Sequence, residues 1–137
     1  MVSIAIVRSR FNDEITGRML AYARASAKKL GLNVVAEASV PGAFDMPIVI
    51  KKLLERGDVD GVATIGAVIK GETKHDELIT HQVAAAITGL SLEYGKPVGL
   101  GVIGPGVTWR KAEARARQYA EQSVEAVLSV HKQLGEL

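Results

Sequence analysis

The chain alternates between short apolar runs and longer segments in which apolar residues recur every three or four positions. "VSIAIV" (2–7) is a β-branched run of the kind that forms a buried strand. Ile15, Met19, Tyr22, Ala23, Ser26 and Leu30 then recur at helical spacing, and Gly31 supplies a stop. "NVVAEASV" (33–40) predicts a second strand. "PGAFDMP" (41–47) is a turn-rich loop. It leads into a helix whose apolar face is Met46, Val49, Ile50, Leu53 and Leu54 and which ends at Gly57. "DGVATIGAVI" (60–69) predicts a third strand, apolar enough to be covered on both sides. A helix from about Lys74 to Tyr94 carries Ile79, Val83, Ile87 and Leu90 on one face. "KPVGLGVIG" (96–104) predicts a fourth strand. A last helix runs from about Thr108 to Leu134, with Trp109, Ala112, Ala116, Ala120, Val124, Val127 and Leu134 along its buried side.

The order β-α-β-α-β-α-β-α predicts an α/β protein of three layers, a four-stranded parallel sheet flanked by helices on both faces. A length of 137 residues fits a single domain over 1–137 with room for a substantial core. Aromatic residues make up only 4%, so that core is built from Val, Ile, Leu and Ala. The net charge of +2 comes without a basic run or an aromatic–basic alternation, so nucleic acid is not an expected partner. With no cysteine, disulfides, thiolate catalysis and zinc–thiolate sites are excluded. No signal-peptide pattern follows Met1, and no apolar stretch is long enough to span a bilayer. The expectation is a cytoplasmic protein with no membrane partner.

Open α/β sheets bind ligands at the C-terminal ends of their strands. That rule selects "RSRFN", "PGAFD", "GETKH" and "GPGVT", which are distant in sequence and converge in such a fold. In the third, Thr73 followed by Asp76 has the spacing of a capping box. Thr73 either caps the helix or shares a helix start whose free N–H groups, at Glu72 and Thr73, accept an anion; the two are compatible. His75 lies in the first turn of that helix, four residues before Ile79 and so on the same face. A histidine at a ligand-binding edge can accept and return a proton near neutral pH, or it can simply hydrogen-bond a loop. His81 falls on a different face, and His131 falls on the apolar stripe of the last helix, as a packed histidine does. No His/Asp/Glu cluster at ligand spacing is present, so no metal site is expected.

Phe11, between charged residues in a loop, either packs in the core or stacks on a planar ligand. Asp45 is placed to cap the helix before Pro47, and the backbone of 43–45 is placed to line a pocket. "GLGVIG" (99–104) spells the dinucleotide motif G-x-G-x-x-G. It lies in the last strand rather than in the first strand–helix turn, so these glycines predict close packing. Arg110, Lys111, Arg115 and Arg117 crowd the start of the last helix; such a run is usually a solvated face, and Arg115 is the one that could instead complete a phosphate site through bidentate bonds.

Taken together, "RFN" after the first strand, "VPGAFDMP" after the second, "GAVIKGETKHDEL" after the third and A-x-x-R at 112–115 resemble the 6,7-dimethyl-8-ribityllumazine synthases, over nearly the whole chain. "GETKHDE" and "GPGVT" are most similar to the archaeal branch. The resemblance implies a flavodoxin-like fold, no cofactor, and assembly into pentamers that some members close into icosahedral capsids. It implies a transferase of riboflavin biosynthesis that condenses 5-amino-6-(D-ribitylamino)uracil with 3,4-dihydroxy-2-butanone 4-phosphate. By the same resemblance, Phe11 stacks on the pyrimidine ring. Ala43, Phe44 and Asp45 hold the ribityl chain, and Ala67, Val68 and Ile69 line the ring pocket. Glu72 and Thr73 cradle the phosphate, and His75 transfers protons. Leu100 and Arg115 serve the site of a neighbouring subunit, Arg115 on the phosphate. Many bacterial members carry a lysine eight residues after the arginine, where this chain has Ser123, and Leu100 stands where they often have Phe. Two alternatives remain at this point. One is the related archaeal riboflavin synthase, and the other is a non-catalytic flavin-binding module on the same fold.

Overall fold

The computed structural model describes residues Met1–Leu137. Five strands form one parallel sheet: β1 (Ser3–Ser9), β2 (Asn33–Val40), β3 (Gly61–Ala67), β4 (Val98–Gly99) and β5 (Val102–Ile103). The order across the sheet is β2-β1-β3-β4, with β5 also paired to β3. Side chains alternate along each strand and so sort the core into two halves. Ile4 and Ile6 of β1, with Ala63 and Ile65 of β3, face α1 (Asp13–Lys29) and α4 (Trp109–Glu136). Ala5, Val7 and Val62 face α2 (Met46–Leu54) and α3 (His75–Tyr94). Helices thus cover both faces, the three layers expected of a sheet whose central strands β1 and β3 are buried along most or all of their length. No helix is long and apolar enough to cross a membrane.

The sequence predicts four strands, and the fourth divides into two. Thr64 of β3 causes the division. Its hydroxyl donates to the Gly99 carbonyl at 2.6 Å and accepts from the Gly101 N–H at 3.0 Å, replacing ladder bonds with side-chain ones. The register does not slip, since Ala63 faces Gly99 and Gly66 faces Val102. Leu100 is turned out to solvent between the two pieces.

The helices match the apolar spacing except at their ends. Gly31 (φ 73°) follows α1 and Gly95 (φ 63°) follows α3, in the left-handed conformation that glycine adopts without penalty. In α4, Ala112, Ala116, Ala120, Val124 and Val127 are buried as expected. Trp109 and Leu134, expected on the buried side, are 37% and 48% exposed. A helix of 28 residues is about 42 Å long and overruns the sheet it covers, so its two ends lie beyond the core. His131, expected to be packed, is only half-buried for the same reason. On the surface, Arg24 of α1 grips Glu37 of β2 with two hydrogen bonds of 2.8 and 2.5 Å, which hold the Glu37 carboxyl below its usual range.

Candidate active site

Three strand ends meet on one side of the sheet, and each is fixed by a specific set of hydrogen bonds. After β1 the chain follows β2, because the Arg10 N–H donates to the Val40 carbonyl at 2.8 Å and the Phe11 N–H donates to the Pro41 carbonyl at 2.9 Å. Asn12 then takes the left-handed conformation at φ 65°, which Asn tolerates better than most residues. Its carbonyl accepts from Ile15 and Thr16 at the start of α1, and its Nδ2 donates to the Ala67 carbonyl at 2.8 Å. One residue thus ties the exits of β1 and β3 together and leaves Phe11, 72% exposed, projecting from the edge.

After β2, a short 3₁₀ turn (Ala43–Asp45) precedes α2. The Asp45 N–H donates to the Gly42 carbonyl, and Asp45 Oδ2 accepts from the Gly42 N–H, both at 3.0 Å. Asp45 therefore closes its own turn and makes no side-chain cap bond to α2. After β3, the Val68 N–H donates to the Ile103 carbonyl at 2.8 Å and the Lys70 N–H to the Val107 carbonyl at 2.9 Å. These bonds draw the segment 104–107 alongside the exit of β3. Gly104 sits so close to it that a Cβ there would lie 2.7 Å from the Val68 carbonyl oxygen.

The capping box expected at Thr73 does not form. Lys74 stands at the N-cap of α3 without a side-chain cap bond. Asp76, its expected partner, turns instead to the segment 104–107, where Oδ2 accepts from the Gly106 N–H at 2.8 Å. That acceptor role wins because Gly106, at φ 74°, directs an N–H into the fold that has no strand or helix partner.

The cavity between these strand ends has a volume of about 490 Å³, within the range of small-molecule sites. It is lined by Phe11 from the end of β1, Ala43 and Phe44 after β2, Ala67, Val68 and Ile69 at the end of β3, and Thr73 and His75 at the start of α3. All eight were singled out from the sequence. Four others were singled out and do not line it. Asp45 faces an adjoining groove with Pro47 and Gln82. Glu72 is exposed in the turn between the lining residues Gly71 and Thr73. Leu100 and Arg115 lie exposed on β4–β5 and α4, outside the cavity wall. Gly42, Gly71, Asp76 and Ile79 complete the wall; Gly71 was read from the sequence as part of the turn before α3, Asp76 as a capping partner and Ile79 as sharing the face of His75, and Gly42 was given no role of its own. Sequence reasoning missed Asn12 behind the wall, though its place in "RFN" after a strand was a signal.

Ser123 is a core residue at 1% exposure, its hydroxyl donating to the Thr64 carbonyl at 2.9 Å. This position faces the sheet and presents nothing to the cavity. The glycines of "GLGVIG" are close-packing residues, as expected, since a Cβ on Gly99 would lie 2.1 Å from the Ser123 carbonyl oxygen.

The architecture and the site define a class: a flavodoxin-like α/β protein whose small-molecule cavity is built from the C-terminal ends of parallel strands and lined by two aromatic rings and a histidine-bearing helix start. Within that class, the chain belongs to the 6,7-dimethyl-8-ribityllumazine synthase family, whose model matches residues 1–135. Relatives named 6,7-dimethyl-8-ribityllumazine synthase support this over nearly full length. One from Sulfolobus acidocaldarius is 47% identical over 136 residues, covering 99% of this chain and 86% of the relative. One from Methanococcus aeolicus is 47% identical over 137 residues, covering all of both chains. One from Methanocaldococcus jannaschii is 47% identical over 134 residues, covering 98% of this chain and 94% of the relative. The similarity to the archaeal branch seen in the motifs agrees with these matches, which favour the synthase over the riboflavin synthase alternative.

Proposed function

We propose that this chain condenses 5-amino-6-(D-ribitylamino)uracil with 3,4-dihydroxy-2-butanone 4-phosphate to give 6,7-dimethyl-8-ribityllumazine, phosphate and water. The observation that carries this is the single cavity lined by Phe11, Ala43, Phe44, Ala67–Ile69, Thr73 and His75 in a chain of that family. The ring amine attacks the ketone and water leaves, giving an imine. Loss of a proton beside the imine expels phosphate, and the ribitylamino nitrogen closes the second ring with loss of a second water. Each step moves protons and none needs a nucleophilic side chain. Phe11 offers an aromatic face to the pyrimidine. The backbone of 43–45, with Asp45, meets the ribityl chain, and that of 67–69 meets the ring. The exposed turn at Glu72 and Thr73 takes the phosphate on free N–H groups at the start of α3. His75, in the first turn of α3, carries the protons. Aligning two substrates in one cavity supplies a large part of the acceleration, up to about 7–11 kcal/mol in favourable systems.

The test is direct. The purified protein is mixed with the two substrates, and lumazine absorbance and phosphate release are followed together. A rate no greater than the spontaneous background sinks the proposal. Riboflavin formed from the lumazine alone assigns the chain to the paralogue instead.

The working unit is a homo-oligomer, a pentamer or a shell of pentamers, with Leu100 and Arg115 of one subunit serving its neighbour's site. Phe44, Ile48 and Leu78, all more than half exposed on the α2–α3 side, support this as an apolar surface in want of a partner. Light scattering at working concentration is expected to return a multiple of five chains; a mass of 14.6 kDa, that of one chain, counts against it. With the Ser123 position turned into the core, the phosphate site rests on Arg115 and the α3 turn. Arg115→Ala is therefore expected to raise KM for the butanone phosphate by roughly tenfold or more, with KM for the pyrimidine little changed. An unchanged KM for the phosphate substrate removes Arg115 from the site.

A further inference from the structure

Asp76 is the only charged residue of the chain that is buried, at 6% exposure. A buried carboxylate is costly unless hydrogen bonds compensate it. One oxygen is compensated: Oδ2 accepts from the Gly106 N–H at 2.8 Å. The residue also sits in the first turn of α3, where the helix end favours negative charge. The other oxygen, Oδ1, has no hydrogen-bond partner in the chain. Nor is it sealed from solvent, because the partnerless buried side-chain atoms are Arg8 Nε and Thr16 Oγ1 alone. Asp76 lines the cavity. Its free oxygen is thus an accessible acceptor on a cavity-lining residue, held in orientation by the bond on its partner oxygen.

We infer that Asp76 is a substrate-binding residue whose Oδ1 accepts a hydrogen bond from the hydroxyl of the four-carbon phosphate substrate. This rests on the proposed condensation and adds a residue to which neither the motifs nor the family resemblance gave a substrate contact. An ionised carboxylate only accepts, so its partner is a donor. Asp76 follows His75 directly and stands three residues after Thr73, at the end of the cavity assigned to the phosphate. The donor nearest the phosphate is the hydroxyl on the carbon next to the phosphorylated one. A fixed acceptor there orients the carbon that must lose its proton, on the side where His75 lies.

Asp76→Asn separates this role from simple support. The amide oxygen can keep the Gly106 bond, and the amide nitrogen then presents a donor where the carboxylate presented an acceptor. The variant is expected to fold and melt close to the parent. KM for the butanone phosphate is expected to rise about tenfold or more, with KM for the pyrimidine within about twofold. Asp76→Ala, which also frees the Gly106 N–H, is expected to show the same kinetic defect together with a lower melting temperature. Parent-like kinetics in the Asn variant overturn the assignment, as do equal rises in both KM values. An Asn variant that does not fold overturns it too, by giving the carboxylate to stability alone. The parent enzyme is assayed alongside. If it makes no lumazine, the condensation itself has failed; if it does and the Asn variant matches it, only the role of Asp76 has failed.

Discussion

His75→Ala is expected to lower kcat by roughly 10²- to 10⁴-fold, the usual contribution of a positioned acid–base group, while the dissociation constant for the pyrimidine stays within about twofold. The split follows from where the parts of the cavity lie. The pyrimidine's proposed contacts, Phe11 and the backbone of 43–45 and 67–69, come from the ends of β1, β2 and β3. His75 comes from a separate element, as the first residue of α3. Removing its ring takes away a proton carrier and leaves the stacking wall as it was. The helix start is not at risk. No side-chain cap bond involves His75, and the first turn is tied to the segment 104–107 through Asp76, whose Oδ2 accepts from the Gly106 N–H. Single-turnover measurements with pre-bound pyrimidine isolate the chemical step. Equal losses in binding and rate assign His75 a structural part and return the proton transfers to solvent.

That site was largely legible in the sequence because it rests on strand ends, and strands of β-branched residues bounded by Gly, Pro and charge are easy to place. β2 falls on the predicted residues 33–40, and β1 and β3 fall within two residues of prediction at each end. What the sequence concealed depends on contacts between distant segments. Thr64 splits the fourth strand through its hydroxyl, and nothing in "KPVGLGVIG" itself announces that, because the responsible residue is 35 positions away. Asp76 has the spacing of a capping partner for Thr73, and local pattern favours that use. A backbone N–H at Gly106, 30 residues on, takes the carboxylate instead. Asn12 is the same case in reverse. As a turn residue it was unexceptional, and its bond to the Ala67 carbonyl appears only once β1 and β3 are neighbours. Leu100 and Arg115, given to a neighbour's site by family resemblance, lie outside this chain's own cavity wall.

The second large effect is expected in the core. Gly99→Ala places a methyl group where there is no room for one. The added carbon would lie 2.1 Å from the Ser123 carbonyl oxygen and 2.7 Å from its hydroxyl. The obstacle is the backbone of α4, so no side-chain rotation relieves it, and the helix must move away from the sheet. Moving it lengthens the Ser123–Thr64 bond and loosens Val124 and Val127, which lie beside Ser123 in the core. Overpacking of this kind costs about 1–3 kcal/mol and more where backbone must shift, and a strained buried hydrogen bond adds about 1 kcal/mol. Against a total stability of about 5–15 kcal/mol, the change removes a large fraction. A fall in melting temperature of about 10 °C or more is expected, or failure to accumulate as folded protein. Gly135→Ala is the matched control, since nothing lies within 4 Å of a Cβ at that position in the last turn of α4. It is expected to leave the melting temperature unchanged or slightly higher, because alanine favours a helix more than glycine does. Equal melting temperatures for the two variants would mean that α4 is free to slide on the sheet. The close approach at Ser123 would then have no part in holding the carboxyl edge of β3, and with it the cavity floor, in place.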